Sequence, residues 1–321
     1  MNFQRRHLLA LGLYAPIAGF AQADFPKRQV VRIVVPFAPG GSVDIIARYM
    51  AQEMSGPLGQ TVIVENRPGG GGAVGTEYVA RAPADGYTLL LGSTGPLSVS
   101  PNLQKLAYAP KDFAPIINVA SIPHVLVVRG NLPVKTLQEF IAYAKANPSK
   151  VNYGSGGPGT THHLTGVMLN QLAGISMVDI PYKGTGPALI DLVAGQVDVM
   201  SVDMPPALPF INSGKIRVLA IATENRSPLA PSIPTSAEAG LPGYLVTAWY
   251  GIVGPAGIPA DVASRLAKAA SDVLAQPATR EKFAELGAAS EGVSLAAFGD
   301  YMQRDNAKWG QIIKTGNLRL E

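Results

Sequence analysis

Four short stretches put glycines and hydroxyls where a strand gives way to a helix: Gly40-Gly41-Ser42, Ser93-Thr94, Gly159-Thr160-Thr161 and Gly184-Thr185. The first turn of a helix has free N–H groups and the positive end of the helix dipole. Each turn is therefore a socket for an anion, and carboxylate or phosphate would suit it equally. One such turn is ordinary in an α/β protein. Several around one cleft would form a multipoint anion clamp. A carboxylate at a helix start gains about 0.3–1 kcal/mol, up to ~2 when partly buried. Hydrogen bonds to a charged group contribute roughly 1.5–3 kcal/mol each. Three or four reach micromolar affinity, about −8 kcal/mol, after the losses of ordering and closure.

Other chemistry finds little material. Cysteine is absent, which excludes thiolate catalysis, disulfides and cysteine metal sites. No serine stands in G-x-S-x-G. Past the N-terminal segment the histidines are His124, His162 and His163. Adjacent helical residues point about 100° apart, so His162 and His163 do not share a metal. They read as one packed and one solvated side chain, with room for one to line a cleft, and no metal site is expected. Two stretches fit G-x-G-x-x-G, Gly70 to Gly75 and Gly154 to Gly159. Only the second has an acid, Asp179, where a ribose-binding residue belongs. Pro158 removes a donor from that same loop. An exported nicotinamide- or flavin-dependent oxidoreductase built on Gly154–Gly159 is thus the second reading, and an interaction module with an empty cleft the third. With no catalytic constellation beside it, the clamp holds an anion and does nothing to it.

The clearest positioning unit is VVRIVVPFAPGGSVDIIAR, Val30 to Arg48. Its β-branched start reads as a buried strand. Pro36 and Pro39 lack backbone donors, and Gly40-Gly41 is free to turn. Ser42 falls at the N-cap position, ahead of Val43, Ile46, Ala47 and Met50 at helical spacing. Strands at Thr61–Glu65 and Tyr87–Leu91, with a helix over Ala73–Arg81, continue the pattern of a parallel sheet with right-handed crossovers. Strand, glycine turn and helix recur at Val151–Leu164 and at Met177–Met200, and a strand follows at Arg217–Ile221. Thr136 and Glu139 form a capping box for an amphipathic helix. The C-terminal part is helical. Two long extended runs, Ser121–Val128 and Tyr244–Val253, can each cross between lobes. The expected fold is α/β with two lobes, residues 24–122 with 250–321 and residues 123–249. Each lobe is a mostly parallel sheet flanked by helices, with a ligand cleft at the strands' carboxyl ends.

The N-terminus reads as an export signal: Arg5-Arg6, an apolar core from Leu8 to Phe20, and Ala21-Gln22-Ala23 as a small-x-small cleavage site. The arginine pair also suits the twin-arginine route. Removing Arg5 and Arg6 from 26 basic residues leaves 24 against 22 acidic ones. With no basic cluster interleaved with aromatics, nucleic acid is not an expected partner. Hydrophobic content of 47% is ample for packed cores.

Eight motifs in one order carry a family resemblance. PFAPGGSVDIIAR, ENRPGGGGAVG, ADGYTLL, GSGGPGTTHHL, PYKGTGPALIDLVAGQVD, GKIRVLA, IPTSAEAGLPGY and AWYGIVGPAGIP span nearly the whole mature chain. They resemble the Bug-type extracytoplasmic solute receptors, the substrate-binding proteins of tripartite tricarboxylate transporters. The resemblance implies a type II periplasmic binding-protein fold without cofactor. A ligand carboxylate would be held by main-chain N–H groups, hydroxyls and waters. It implies Phe37, Gly40, Gly41, Ser42 and Asp44 from the first loop. From the second it implies Ser155, Gly157, Thr160 and Thr161, with His163 at the family's histidine position. Ser93, Thr94, Thr185 and Asp203 complete the set. Asp44 would cap the helix, order a water or receive a ligand ammonium, since its charge repels an anion. Where many relatives carry an acid shortly after the histidine, this chain has Val167 and Met168, which suits a drier pocket. The expected ligand is a small organic carboxylate: a di- or tricarboxylate, an acidic amino acid or an aromatic acid. The expected partners are the transporter's membrane subunits or a sensor, and the protein itself is a periplasmic monomer.

Overall fold

The computed structural model describes residues 25–228 and 230–319, so the export signal expected over 1–23 lies outside the described residues. The β-branched run forms β1 (Val31–Val35), flanked in parallel by β2 (Val62–Asn66) and β3 (Thr88–Ser93). The crossovers are α1 (Ser42–Leu58) and α2 (Ala73–Ala80). A π-helical turn over Gly95–Val99 and the short α3 (Ser100–Leu103) follow. The extended run over Ser121–Val128 is part of one 17-residue strand, β4 (Phe113–Arg129). Then come α4 (Leu137–Ala146), β5 (Val151–Ser155), α5 (Thr161–Ala173), β6 (Met177–Pro181) and α6 (Thr185–Ala194). After β7 (Val199–Asp203), α7 (Met204–Asn212) and β8 (Ile216–Ile221), the chain returns along β9 (Thr247–Pro255). It ends in α8 (Ala260–Ala275), α9 (Pro277–Glu285), the short β10 (Ala289–Ser290) and α10 (Leu295–Thr315).

The strands lie in the order β2-β1-β3-β9-β4-β7-β5-β6, with β10 and β8 also paired to β4. The outer strands are parallel, as the crossover pattern predicts, while the middle of the sheet is antiparallel. β4 pairs with β9 from Phe113 to Pro123 and with β7 and β8 from His124 onward. It therefore passes from a first lobe, built on β1–β3 and β9, into a second built on β5–β8. Each lobe has its own core. Ile33, Ile46, Met50 and Leu266 are fully buried in the first, where α1 and α8 cover the sheet. Leu126, Phe140, Tyr153 and Leu169 are buried in the second. Full burial of such a side chain contributes roughly 1.5–3 kcal/mol. α10 touches both cores. Phe298 and Met302 pack with Val34, Leu90 and Trp249, while Trp309 and Ile313 pack with Leu126 and Val128.

The expected capping box is shifted by one residue. Thr136 Oγ1 accepts the Glu139 N–H at 3.2 Å, but the Glu139 carboxylate accepts the N–H of Lys135, at 2.6 Å, and not that of the cap.

Candidate functional site

A narrow cavity lies between the lobes. Four helices open onto it. α1 contributes Gly41, Ser42, Val43 and Asp44, and α5 contributes Thr160, Thr161 and His162. α6 contributes Gly184 and Thr185, and α7 contributes Asp203, its N-cap. Phe37 and Ala38, Ser93 and Gly95 after β3, and Ala248 and Tyr250 of β9 complete the wall.

Three of the four helices repeat one device. Their N-caps are Gly41, Thr160 and Gly184, and a buried hydroxyl residue stands at the first helical position: Ser42, Thr161 and Thr185. The N–H at that position has no partner within the helix. Ser42 is thus one residue further into the helix than the N-cap expected for it. Glycine holds the cap because a Cβ on Gly41 would lie 2.7 Å from Thr185 Oγ1 across the cleft. The Ser42 hydroxyl is not spent on capping, and Oγ is buried with no hydrogen-bond partner among the described residues.

Thr160 differs. Its Oγ1 donates to the Gly157 carbonyl at 2.7 Å and accepts the His163 N–H at 3.2 Å, so it braces its own loop. Asp44 is also committed. Arg48 donates to both its oxygens, at 3.0 and 2.9 Å. Asn66 Nδ2 donates to Oδ1 at 2.9 Å and the Gly40 N–H to Oδ2 at 3.1 Å. Burial works against this carboxylate, yet those bonds hold its pKa below the usual range. Asp44 lines the cavity, but its oxygens tie the first loop to α1 and β2 and leave none for a ligand.

Several residues of the expected set stand behind the wall. Thr94 Oγ1 accepts the Trp249 N–H at 2.8 Å. Ser155 Oγ donates to Asp179 Oδ2 at 3.2 Å. Gly40 and Gly157 shape the loops at positive φ. His163, with Asp179, lines a separate groove on the outside of α5. The histidine that faces the interlobe cavity is its neighbour, His162.

His162 belongs to a buried cluster that spacing did not reveal. Register places His124 of β4 opposite Asp203 of β7. His124 Nε2 lies 3.4 Å and His162 Nε2 3.7 Å from the Asp203 carboxylate, and Tyr250 OH donates to Asp203 Oδ2 at 2.6 Å. Tyr153 OH, which accepts the Ser201 N–H, donates to the His162 carbonyl at 2.7 Å and fixes that turn. Burial disfavours the Asp203 charge, but the two imidazoles and Tyr250 outweigh it and hold its pKa at about 2. Burial pushes His124 down to about 3. Ligand atoms of His124, His162 and Asp203 lie within 4.8 Å of one another. The rings, however, are stacked 4.7 Å apart at 18°. Each Nε2 faces its own oxygen of the one carboxylate, His124 towards Oδ1 and His162 towards Oδ2.

Residues 46–318 match the profile of the Tripartite tricarboxylate transporter family receptor. The chain belongs to this family. Solved structures agree. It is similar to periplasmic binding protein BugD, with 36% identity, a TM-score of 0.88, and 92% of this chain and 99% of that one covered. MatC from Rhodopseudomonas palustris, with bound malate, matches at 35% identity and TM-score 0.85 over 89% of this chain and 99% of its own. An R. palustris protein with adipate matches at 34% and 0.88 over 92% and 99%. These relatives are substrate-binding proteins, not enzymes, and the chain is a solute-binding receptor of the same two-lobed α/β architecture.

The oxidoreductase reading finds no support in this receptor family, and the loops give the physical reason. The two G-x-G-x-x-G stretches meet each other. A Cβ on Gly71 would overlap the Pro158 carbonyl oxygen, and one on Gly157 would lie 3.4 Å from Gly71 Cα. Their glycines permit close approach of two protein loops, where a dinucleotide site would keep that space for pyrophosphate. Among the described residues, no helix is long and apolar enough to cross a membrane.

Proposed function

We propose that this receptor captures a small organic carboxylate in the interlobe cavity and presents it, closed, to the membrane subunits of a tripartite tricarboxylate transporter. In this reading the N-terminal signal is cleaved near Ala23 and the monomer works in the periplasm. Residues 24–122 with 250–321, and 123–249, are the lobes that close. The observation that carries the reading is the convergence of the α1, α5 and α6 starts, with buried hydroxyls at Ser42, Thr161 and Thr185, on one cavity. Relatives with malate and with adipate support the ligand class. Two contacts span the cleft and would favour closure: the Ala38 N–H donates to the Lys183 carbonyl at 2.8 Å, and Ser100 Oγ to the Gly159 carbonyl at 2.9 Å. A ligand touching both sides shifts the population toward the closed state.

Native mass spectrometry of protein from its host, followed by a thermal-shift screen of organic acids, tests this. One acid should co-purify at one per chain. At a hundredfold excess over Kd it should add about 2.7 kcal/mol, a shift of several degrees. Failure of every di-, tri- and aromatic carboxylate to shift the melt would refute the reading.

A further inference from the structure

One ring nitrogen in the cavity wall has no part in the clamp of helix starts. The His162 side chain is 12% exposed and lines the cavity. Its Nε2 is sealed from solvent without a hydrogen bond and lies 3.7 Å from Asp203 Oδ2. Nδ1 is not among the sealed atoms. It lies on the side of Gly156, another residue of the wall, where a Cβ would come within 3.3 Å of it. The ring is held in place by its stacking on His124 and by Tyr153, whose OH donates to the His162 carbonyl.

Asp203 decides which nitrogen of the neutral ring carries the hydrogen. A lone pair on Nε2 would face a carboxylate oxygen, so the hydrogen stays there and the Nδ1 lone pair turns to the cavity. A ligand carboxylate is repelled by that lone pair. A proton on Nδ1 converts the repulsion into a charge-assisted hydrogen bond, and the imidazolium then lies between two carboxylates. The other titratable groups around the ring do not supply this charge. Burial keeps His124 of β4 neutral, pushing its pKa down to about 3. Tyr250 of β9 donates to Asp203, and burial keeps its proton on. Asp44, across the cavity, is bound by Arg48. His163, next on α5, lines the outer groove with Asp179. We propose that His162 is a proton-linked anion ligand: capture of a carboxylate takes up one proton from solvent, forming the Nδ1–H bond, and release returns it. The inference rests on the carboxylate reading above. Affinity then rises as the medium acidifies, by up to about tenfold per pH unit.

Titration calorimetry of the wild-type protein with malate, adipate and benzoate tests it. The carboxyls of these acids titrate below pH 6, so a dependence above that belongs to the protein. Affinity for whichever acid binds should rise at least fivefold from pH 8.5 to 6.5. Binding heats at pH 7 in phosphate and in Tris should differ by the uptake of at least half a proton per ligand. His162→Asn keeps an N–H donor but cannot take the charge. Its affinity should change less than twofold over that range, with no proton taken up, whereas His163→Asn should keep the wild-type dependence. Should His162→Asn not fold, nitrogen NMR of the imidazoles replaces it: one ring, present in both wild type and His163→Asn, should become imidazolium on binding. Wild-type binding that is flat with pH overturns the proposal and leaves the carboxylate reading intact. So does a dependence that persists in His162→Asn or disappears in His163→Asn. If none of the three acids binds at either pH, both fall.

Discussion

Ser42 and Thr160 both stand at a helix start on the cavity, and their hydroxyls have opposite uses. Ser42 Oγ has no hydrogen-bond partner among the described residues, whereas Thr160 Oγ1 is spent on Gly157 and His163. Ser42→Ala should therefore weaken binding of the cognate acid about tenfold, the loss of one hydrogen bond to a charged group, and leave the melting temperature unchanged. Thr160→Ala should lower stability by ~1 kcal/mol, as the loss of an N-cap does, and weaken binding through the loosened loop. Calorimetry with a melt of each variant separates the two, and the double variant should lose most of its affinity while keeping its fold. If Ser42→Ala binds normally, the hydroxyl clamp is wrong. His124 yields a pH prediction. Its pKa in the folded protein is lowered to about 3, so below about pH 6.5 the unfolded chain takes up a proton that the folded one refuses. The stability is whole above pH 6.5 and falls with acid by up to about 1.4 kcal/mol per pH unit toward pH 3. Asp203, held at about 2, adds its own loss only below about 3.8. Urea midpoints from pH 7.5 to 4.5 should drop in the wild type and flatten in His124→Gln; equal slopes would count against the assignment. Helical spacing could not choose between His162 and His163, and the resemblance pointed to His163, whereas His162 lines the cavity. One step along a helix turns a side chain by about 100°, and only the packing of α5 decides which ring meets the cleft.

At the scale of elements, the strand–turn–helix units were legible because composition and spacing agree: β-branched run, proline and glycine, hydroxyl, apolar period. What those glycines are for was not. They read as anion cradles, but Gly41 and Gly157 are where the two lobes' backbones meet, against Gly186 and Gly71. Nothing local distinguishes a glycine that admits a ligand from one that admits another loop. The His124–Asp203 pairing was hidden for the same kind of reason, since it arises from the register of β4 against β7. Gly186 offers a clean test. It lies in the first turn of α6, and a Cβ there would stand 2.5 Å from the Pro39 carbonyl oxygen of the other lobe. Alanine favours the helix by about 1 kcal/mol over glycine. Gly186→Ala should therefore keep or raise the apo melting temperature and weaken ligand binding at least tenfold by obstructing closure. A variant that binds normally would show that the seam does not need to close.

For the whole molecule, the two-lobed plan was legible from the two long extended runs. The role of α10 was not, because its Phe298–Met302 and Trp309–Ile313 faces serve different cores and no periodicity says which. Hydrogen exchange with and without ligand tests the proposed closure. Amides of residues 38–44, 157–163 and 183–187 should gain at least tenfold protection on binding. Those of β4 and β9 near the crossing, residues 117–122 and 248–253, should change less than twofold. A loss of protection along β4 and β9 would mean that opening unzips them.

That ladder has a mechanical consequence. In the proposed closure, the lobes turn about two strands that are paired from Phe113–Pro255 to Pro123–Thr247, not about loose linkers. Sliding one strand past the other would break its hydrogen bonds, at roughly 0.5–1.5 kcal/mol each, whereas flexing the ribbon out of its plane breaks none. The molecule is left with essentially one soft degree of freedom, so it opens as a book does on its spine and the two halves of the site return to the same register at every turnover.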